Sequence, residues 1–306
     1  MMYYLIKNKL EKCAQEEVRQ AAEPFVAVIS LDDWDKLRDM FHVDIDMGMN
    51  PAVIHNTKAV VNHGALTGNL AILDRKDLSG PRKKFSFVLI KKGIIFIDDT
   101  GTAGRMTEEI CRTKEWTAPC LERFFYDFLE QIIHNDMDML ENYERRLYTL
   151  EQEILGDKDT GYLKRLNRIR TEMRELLIHY EQLISFAGEL EENNNGFFAE
   201  EHLRYFHMFG SRITRLNDIA SSVRDYTAQL NDLSRSQADL KMNRIMTALT
   251  VITAIFMPLT LIVGWYGMNF IFMPELASPL GYPAVIAVSL LIVVGGLLYF
   301  RKKKWL

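Results

Sequence analysis

The sequence predicts an α+β membrane protein: an N-terminal α/β domain in the cytoplasm, a long helical stalk, and a stalk helix continuous with the first of two C-terminal transmembrane helices. Three observations carry this. Of the 78 charged residues in the 306-residue chain, 73 fall in residues 1–244 and five in the last 62. Two charge-free runs follow Arg244, one of 30 residues up to Glu275 and one of 25 up to Arg301. Each exceeds the roughly 18–20 apolar residues that carry a helix across a bilayer. Near Leu121 the hydrophobic period also changes from that of strands to that of helices.

Whole-chain averages hide this division. A hydrophobic content of 48%, a charged content of 25% and a net charge of -4 describe an ordinary soluble protein, yet residues 1–244 carry -7 and the remainder +3. The acidic part makes nucleic acid a poor partner and cations a natural one. Cys13, Cys111 and Cys120 form neither a CxxC pair nor an even disulfide framework, so they are expected to be inert thiols in a reducing compartment. The opening residues MMYYLIKNKL lack the pattern of a secretory signal.

Residues 1–116 read as the cytoplasmic α/β domain. Strands are expected at PFVAVIS (24–30), LAILD (70–74), KFSFVLI (84–90) and GIIFID (93–98), with Phe85–Ile90 and Ile94–Ile97 paired as a hairpin. Ser30 followed by Asp33 reads as a capped helix start, with Trp34, Leu37 and Phe41 on its buried face. Residues 117–244 read as the stalk bundle. Apolar residues recur at helical steps from Ile133 to Ile154 and from Leu166 to Leu190, predicting two long antiparallel helices. A third seam runs through Phe209, Ile213, Leu216, Ala220, Val223, Leu230, Leu233 and Leu240. With no Pro or Gly from Ser211 to Met257, one helix is expected over residues 198–264, about 100 Å long at 1.5 Å per residue.

The first span covers residues 245–266, a short external loop 267–281, the second span 282–300 and a basic tail 301–306. Lys241 and Arg244 precede the first span and Arg301, Lys302, Lys303 and Lys304 follow the second, while the loop holds only Glu275. The positive-inside rule then puts both termini in the cytoplasm of a plasma or inner membrane.

A polar stripe follows the long helix. Asp218, Asp225, Asp232 and Asp239 lie seven apart, and Asn243, Met246, Thr250, Thr253, Met257, Thr260 and Gly264 continue the same steps into the membrane. The plain alternative is a solvated face of aspartates and threonines bonding back to carbonyls one turn earlier. Polar side chains within a span nevertheless seldom face lipid. A ring of such helices would enclose a cation-attracting pore, which two spans per chain can build only as a homo-oligomer. The second span, with Ser289 and Tyr299 as its polar groups, suits an outer wall, and Gly295-Gly296 permits close packing.

Tyr266-Gly267-Met268-Asn269-Phe270 directly after the first of two C-terminal spans, then Met273-Pro274-Glu275-Leu276, resembles the CorA family of magnesium channels. Phe256-Met257-Pro258-Leu259-Thr260 and the terminal Lys302-Lys303-Lys304-Trp305-Leu306 share the resemblance, which is close over residues 240–306. It implies a funnel-shaped homopentamer in the lipid bilayer, with stalk helices lining the pore and Gly267, Met268 and Asn269 binding hydrated Mg2+ at the outer mouth. It also implies closure when cytoplasmic magnesium occupies acidic sites between subunits. Magnesium keeps several waters, so amide and carbonyl oxygens that bond its water shell suit a selective first site.

Within the pore, Asn243 would form an inner polar ring, Thr250, Thr253 and Thr260 would meet the hydrated ion, and Met246, Leu249 and Met257 would be apolar constrictions. Pro258 would loosen the helix. Where well-known members carry an acid after GMNF this chain has Ile271, which leaves the outer-mouth role to Glu275. Asp218, Asp225, Asp232 and Asp239 are candidates for regulatory metal. Asp98-Asp99 is a weaker pair, with a solvated surface as its plainer role.

No GxxxxGKS phosphate loop occurs, so neither a nucleotide nor an ATP-driven pump is expected. No Ser/His/Asp or Cys/His arrangement marks an enzyme. His202 and His207 lie five apart, off a common helical face, and do not make a zinc pair. The alternatives are a relative that moves Co2+, Ni2+ or Zn2+, and a non-conducting membrane-anchored coiled-coil tether.

Overall fold

Among the described residues, β-branched and aromatic runs build a seven-stranded mixed sheet in the order β2-β1-β3-β7-β6-β5-β4. The strands are β1 (Met2–Ile6), β2 (Leu10–Cys13), β3 (Phe25–Ile29), β4 (Lys58–Val61), β5 (Leu66–Ile72), β6 (Lys83–Ile90) and β7 (Gly93–Ile97). The computed structural model describes residues 1–37, 56–61, 64–156, 161–194, 196–269, 273–274 and 278–305. They fall into two units, residues 1–153 with 159–230, and residues 154–158 with 231–306. β3 and β7 pair in parallel and every other neighbouring pair is antiparallel. The expected hairpin is β6–β7. Gly93 faces Phe25 in the register, and a Cβ there would stand 2.4 Å from the Phe25 carbonyl oxygen, so only glycine allows the pairing.

Both sheet faces are covered, as the fully buried strands β3 and β7 require. On one face Tyr3, Leu5, Ala27, Ile29, Val88, Ile95 and Ile97 pack with Val18 of α1 (Gln15–Gln20) and Trp34 of α2 (Leu31–Leu37). The α2 start is the expected cap: Ser30 Oγ accepts from the Asp33 amide at 3.3 Å and donates to its carboxylate at 2.6 Å. Phe41 lies outside the described residues. On the other face Phe85, Phe87 and Phe96 meet Phe125 and Phe128 of α4 (Leu121–Ile133) and Phe186 of α6 (Tyr162–Glu192). Burying each ring contributes about 1.5–3 kcal/mol.

α3 (Thr102–Thr113) falls within the segment read as strands and turns. Its start corrects the reading of Asp98 as a solvated residue. Asp98 is 8% exposed and accepts from the Ala103 amide at 2.6 Å and the Thr100 amide at 2.8 Å, capping α3. Asp99 accepts from the Leu31 amide at 3.0 Å, so it too serves a helix start.

α5 (Asp136–Leu155) and α6 run antiparallel, as Tyr143–Glu172 and Asp136–Tyr180 contacts show. α7 runs from Arg204 to Tyr266 without a break, and α8 from Gly281 to Lys302. The long helix starts later than residue 198 because Asn193, in the left-handed region, accepts from the Phe198 amide, and a 3-10 turn Glu200–His202 follows. Phe209, Ile213, Leu216, Ala220, Val223 and Leu230 are the buried seam of α7. Leu240, expected in that seam, is exposed.

A buried ionic group joins β5, α4, α5 and α6. Asp136 is fully buried and accepts from Arg75 Nε and Nη2, each at 2.9 Å, and from the Tyr180 hydroxyl at 3.0 Å. Arg75 also donates to the Ile132 carbonyl at the end of α4. Beside it His179 is fully buried with neither ring nitrogen hydrogen-bonded. Burial, then the charges of Arg75 and Arg82, lower its pKa to about 3. Between about pH 6.5 and that value the unfolded chain binds a proton that the folded chain refuses, so stability falls as pH falls through this window and is unaffected above it. A His179→Leu variant loses no hydrogen bond. Its melting temperature is expected to fall less than wild type between pH 7 and pH 5, by the equivalent of about 2 kcal/mol at most. Equal falls would contradict the neutral buried imidazole.

Candidate ion pathway

One face of membrane-level α7 is packed and the other is open. Val251 and Ile255 are buried, with Leu259 beside them, against Phe300 and Val293 of α8. Gly296 lets the helices approach, since a Cβ there would stand 3.0 Å from Ile255 Cγ1; Gly295 has open space around its position, so only one of the two glycines serves packing. At about 100° per residue, Met246, Thr250, Thr253, Met257, Thr260 and Gly264 project within about 40° of directly opposite Ile255. Asn243 and Leu249 flank that line by about 60°. All eight are exposed. An open apolar groove lined by Phe256, Met257, Leu261, Trp265 and Met268 runs along this side.

The threonines do what the plain reading expected of them. Thr247, Thr250, Thr253 and Thr260 donate to the carbonyls of Asn243, Met246, Leu249 and Phe256 at 2.8–2.9 Å. These bonds satisfy the hydroxyl protons and leave the oxygen lone pairs directed outward as acceptors. Back-bonding and an ion-facing role are therefore compatible: a hydrated cation presents water protons, which need acceptors. Pro258 sits inside α7 without ending it and leaves the Ala254 carbonyl without its helical donor.

At the helix end, the Gly267 amide donates to the Val263 carbonyl at 2.9 Å and the Met268 amide to the Trp265 carbonyl at 3.3 Å. Gly267 directly follows the last residue of α7. It does not occupy the left-handed region, which among described glycines belongs to Gly101, Gly161 and Gly196. Its need is spatial, for a Cβ would stand 3.0 Å from the Val263 oxygen. Asn269 follows, exposed. Phe270, Ile271 and Glu275 lie outside the described residues.

Asp218, Asp225, Asp232 and Asp239 are all exposed on α7. Asp225 pairs with Arg224 at 2.9 Å and Asp232 with Arg235 at 4.0 Å, surface pairs that contribute little to stability. Their carboxylates remain available to solvent and ions. α7 and α8 each contain an apolar stretch long enough to cross a membrane.

The family model described as CorA-like Mg2+ transporter protein matches residues 57–302. The cobalt/magnesium transport protein CorA of Thermotoga maritima is 33% identical over 181 residues, 59% of this chain and 52% of that protein. The chain thus matches about half the length of that relative. The magnesium transport protein CorA of Wolinella succinogenes is 28% identical over 294 residues, covering 88% and 86%. Among solved structures, the complete CorA magnesium transporter of Methanocaldococcus jannaschii superposes with a TM-score of 0.78 at 19% identity, over 100% of this chain and 98% of that one. That likeness concerns the fold.

Proposed function

The chain belongs to the family of CorA-like Mg2+ transporter proteins, and from that premise we propose that it conducts magnesium through a homo-oligomer, a pentamer, whose α7 helices line the path. The observation that carries this reading is the opposition on α7: the face toward α8 is apolar and packed, while the opposite face carries threonine, glycine and methionine, flanked by Asn243 and Leu249. Two helices cannot enclose a path alone, so identical copies must face one another across these residues.

In this reading Asn269 amides, with Gly267 and Met268 carbonyls, hold the hydrated ion at the outer mouth, aided by Glu275. Thr260, Thr253 and Thr250 pass it inward by accepting from its waters. Met257, Leu249 and Met246 form apolar constrictions, and Asn243 marks the inner end. Both termini face the cytoplasm by the distribution of basic residues. An inward-negative potential of about 100 mV gives a divalent cation about 4.6 kcal/mol, enough to drive uptake without nucleotide. Co2+ or Ni2+ is the second cargo reading, favoured by the cobalt in the name of the Thermotoga maritima relative.

The test is magnesium influx into liposomes holding the purified protein under an inward-negative potential; influx no faster than in empty liposomes would sink the reading. For regulation, magnesium at Asp218, Asp225, Asp232 and Asp239 closes the path by linking neighbouring stalks. Magnesium is then expected to slow proteolysis of the stalk in the full-length protein, and identical digestion with and without the ion would remove this role.

A further inference from the structure

Outside the α7 face, three metal-ligating side chains of different chemistry converge in the first unit. Cys120 is the N-cap of α4 and Glu122 sits in that helix's first turn. His202 closes the 3-10 turn that leads into α7. Their ligand atoms all lie within 4.8 Å of one another. His207, five residues on, bonds Glu191 at 2.9 Å instead, and Cys120, 82 residues upstream of His202, gives no spacing signal in the sequence.

The side chains of Cys120, Glu122 and His202 engage one another, Glu122 standing between the thiol and the imidazole. Glu122 is 9% exposed. Its Oε2 lies 3.3 Å from His202 Nδ1, yet that nitrogen is buried and makes no hydrogen bond. Buried polar atoms are normally bonded, so an orphan facing a carboxylate points to a missing partner. The Cys120 sulfur accepts a long 3.4 Å bond from the Arg123 amide, and burial raises its pKa to about 11, so it is no thiolate nucleophile at neutral pH. His202 Nε2 is 3.7 Å from Glu201, an exposed carboxylate that can orient the ring.

We propose that Cys120, Glu122 and His202 bind a borderline-soft divalent transition ion, zinc or cobalt, as a resident site separate from the α7 pathway. Thiolate, imidazole and carboxylate are the donors such ions prefer, whereas magnesium demands octahedral oxygen. Tetrahedral bonds of about 2.0–2.3 Å place ligand atoms about 3.3–3.6 Å apart. The Glu122–His202 separation already matches, and the sulfur has about 1 Å to move. Binding releases the thiol proton to solvent and leaves the fourth position to water. The bound ion clamps the start of α4 to the turn that precedes α7. Nothing in this rests on the transport reading.

Cobalt titration of the metal-stripped full-length protein, in excess magnesium, tests it. One equivalent is expected to give a near-ultraviolet thiolate-to-cobalt charge-transfer band with the intense visible bands of tetrahedral coordination. Cys120→Ser should abolish the charge-transfer band, and serine, itself a favoured N-cap, keeps α4 intact by circular dichroism. Replacing Cys13 and Cys111 together by serine should leave the band unchanged, and His202→Gln should weaken binding at least about tenfold, about 1.4 kcal/mol. Absence of the band in wild type, its survival in Cys120→Ser, its loss in the Cys13/Cys111 variant, or unaltered affinity in His202→Gln would each overturn the site.

Discussion

Asn269→Ala is expected to lower magnesium flux at least about tenfold while leaving the protein folded and in the membrane. Asn269 follows the last turn of α7 and is exposed, so its side chain supports no packing that alanine would remove. In the proposed reading, alanine removes an amide oxygen that would bond the water shell of an approaching ion. A net hydrogen bond is worth about 0.5–1.5 kcal/mol. A ring of identical subunits loses one in every copy, and a total of even about 1.4 kcal/mol is tenfold. Flux equal to wild type would remove Asn269 from the site. A variant that no longer assembled would show itself by its sedimentation, separately from flux.

The largest stability effect is expected at Asp136. Its fully buried carboxylate receives Arg75 and Tyr180, and Arg75 in turn holds the Ile132 carbonyl near the end of α4. Burial raises the carboxyl pKa, and the Arg75 charge and its hydrogen bonds, with that of Tyr180, oppose the rise without cancelling it. Asp136→Ala strands a largely buried guanidinium and a buried hydroxyl, which costs about 3–5 kcal/mol. For a domain of this size that corresponds to a melting temperature lower by roughly 10 °C. Asp136→Asn, which keeps one acceptor, should fall between the two. An unchanged melting temperature in the alanine variant would show that the ionic group is not what joins the sheet to α5 and α6.

Part of this architecture is legible in the sequence for physical reasons. The membrane helices announce themselves by depletion of charge, a one-dimensional signal that no tertiary contact can disguise. The α7 stripe is legible because a single helix fixes the angular relation of its own residues. The β6–β7 hairpin shows because Lys91-Lys92-Gly93 separates two apolar runs. β1, β2 and β4 escape because they are four or five residues long and one of them alternates only between half-buried and exposed. α3 escapes because its buried face is made of Thr102, Ala103, Gly104 and Thr107, with Ile110 as its one large apolar residue, too few for a helical period to show. Asp98 looks like a loop acid until the amides of α3 close on it. The Cys120, Glu122 and His202 group exists only through the fold.

In the proposed function, the face of α7 opposite Ile255 carries the ion. The direct measurement is magnesium influx after treatment with a small cationic thiol reagent, in a background where Cys13, Cys111 and Cys120 are serine. Single cysteines at Thr253, Met257 and Thr260 are expected to become blocked on labelling, and cysteines at Val251 and Leu259, which face α8, to conduct as before. Block at Val251 and Leu259 with free conduction at Thr253, Met257 and Thr260 would place the path on the other side of the helix and contradict the account.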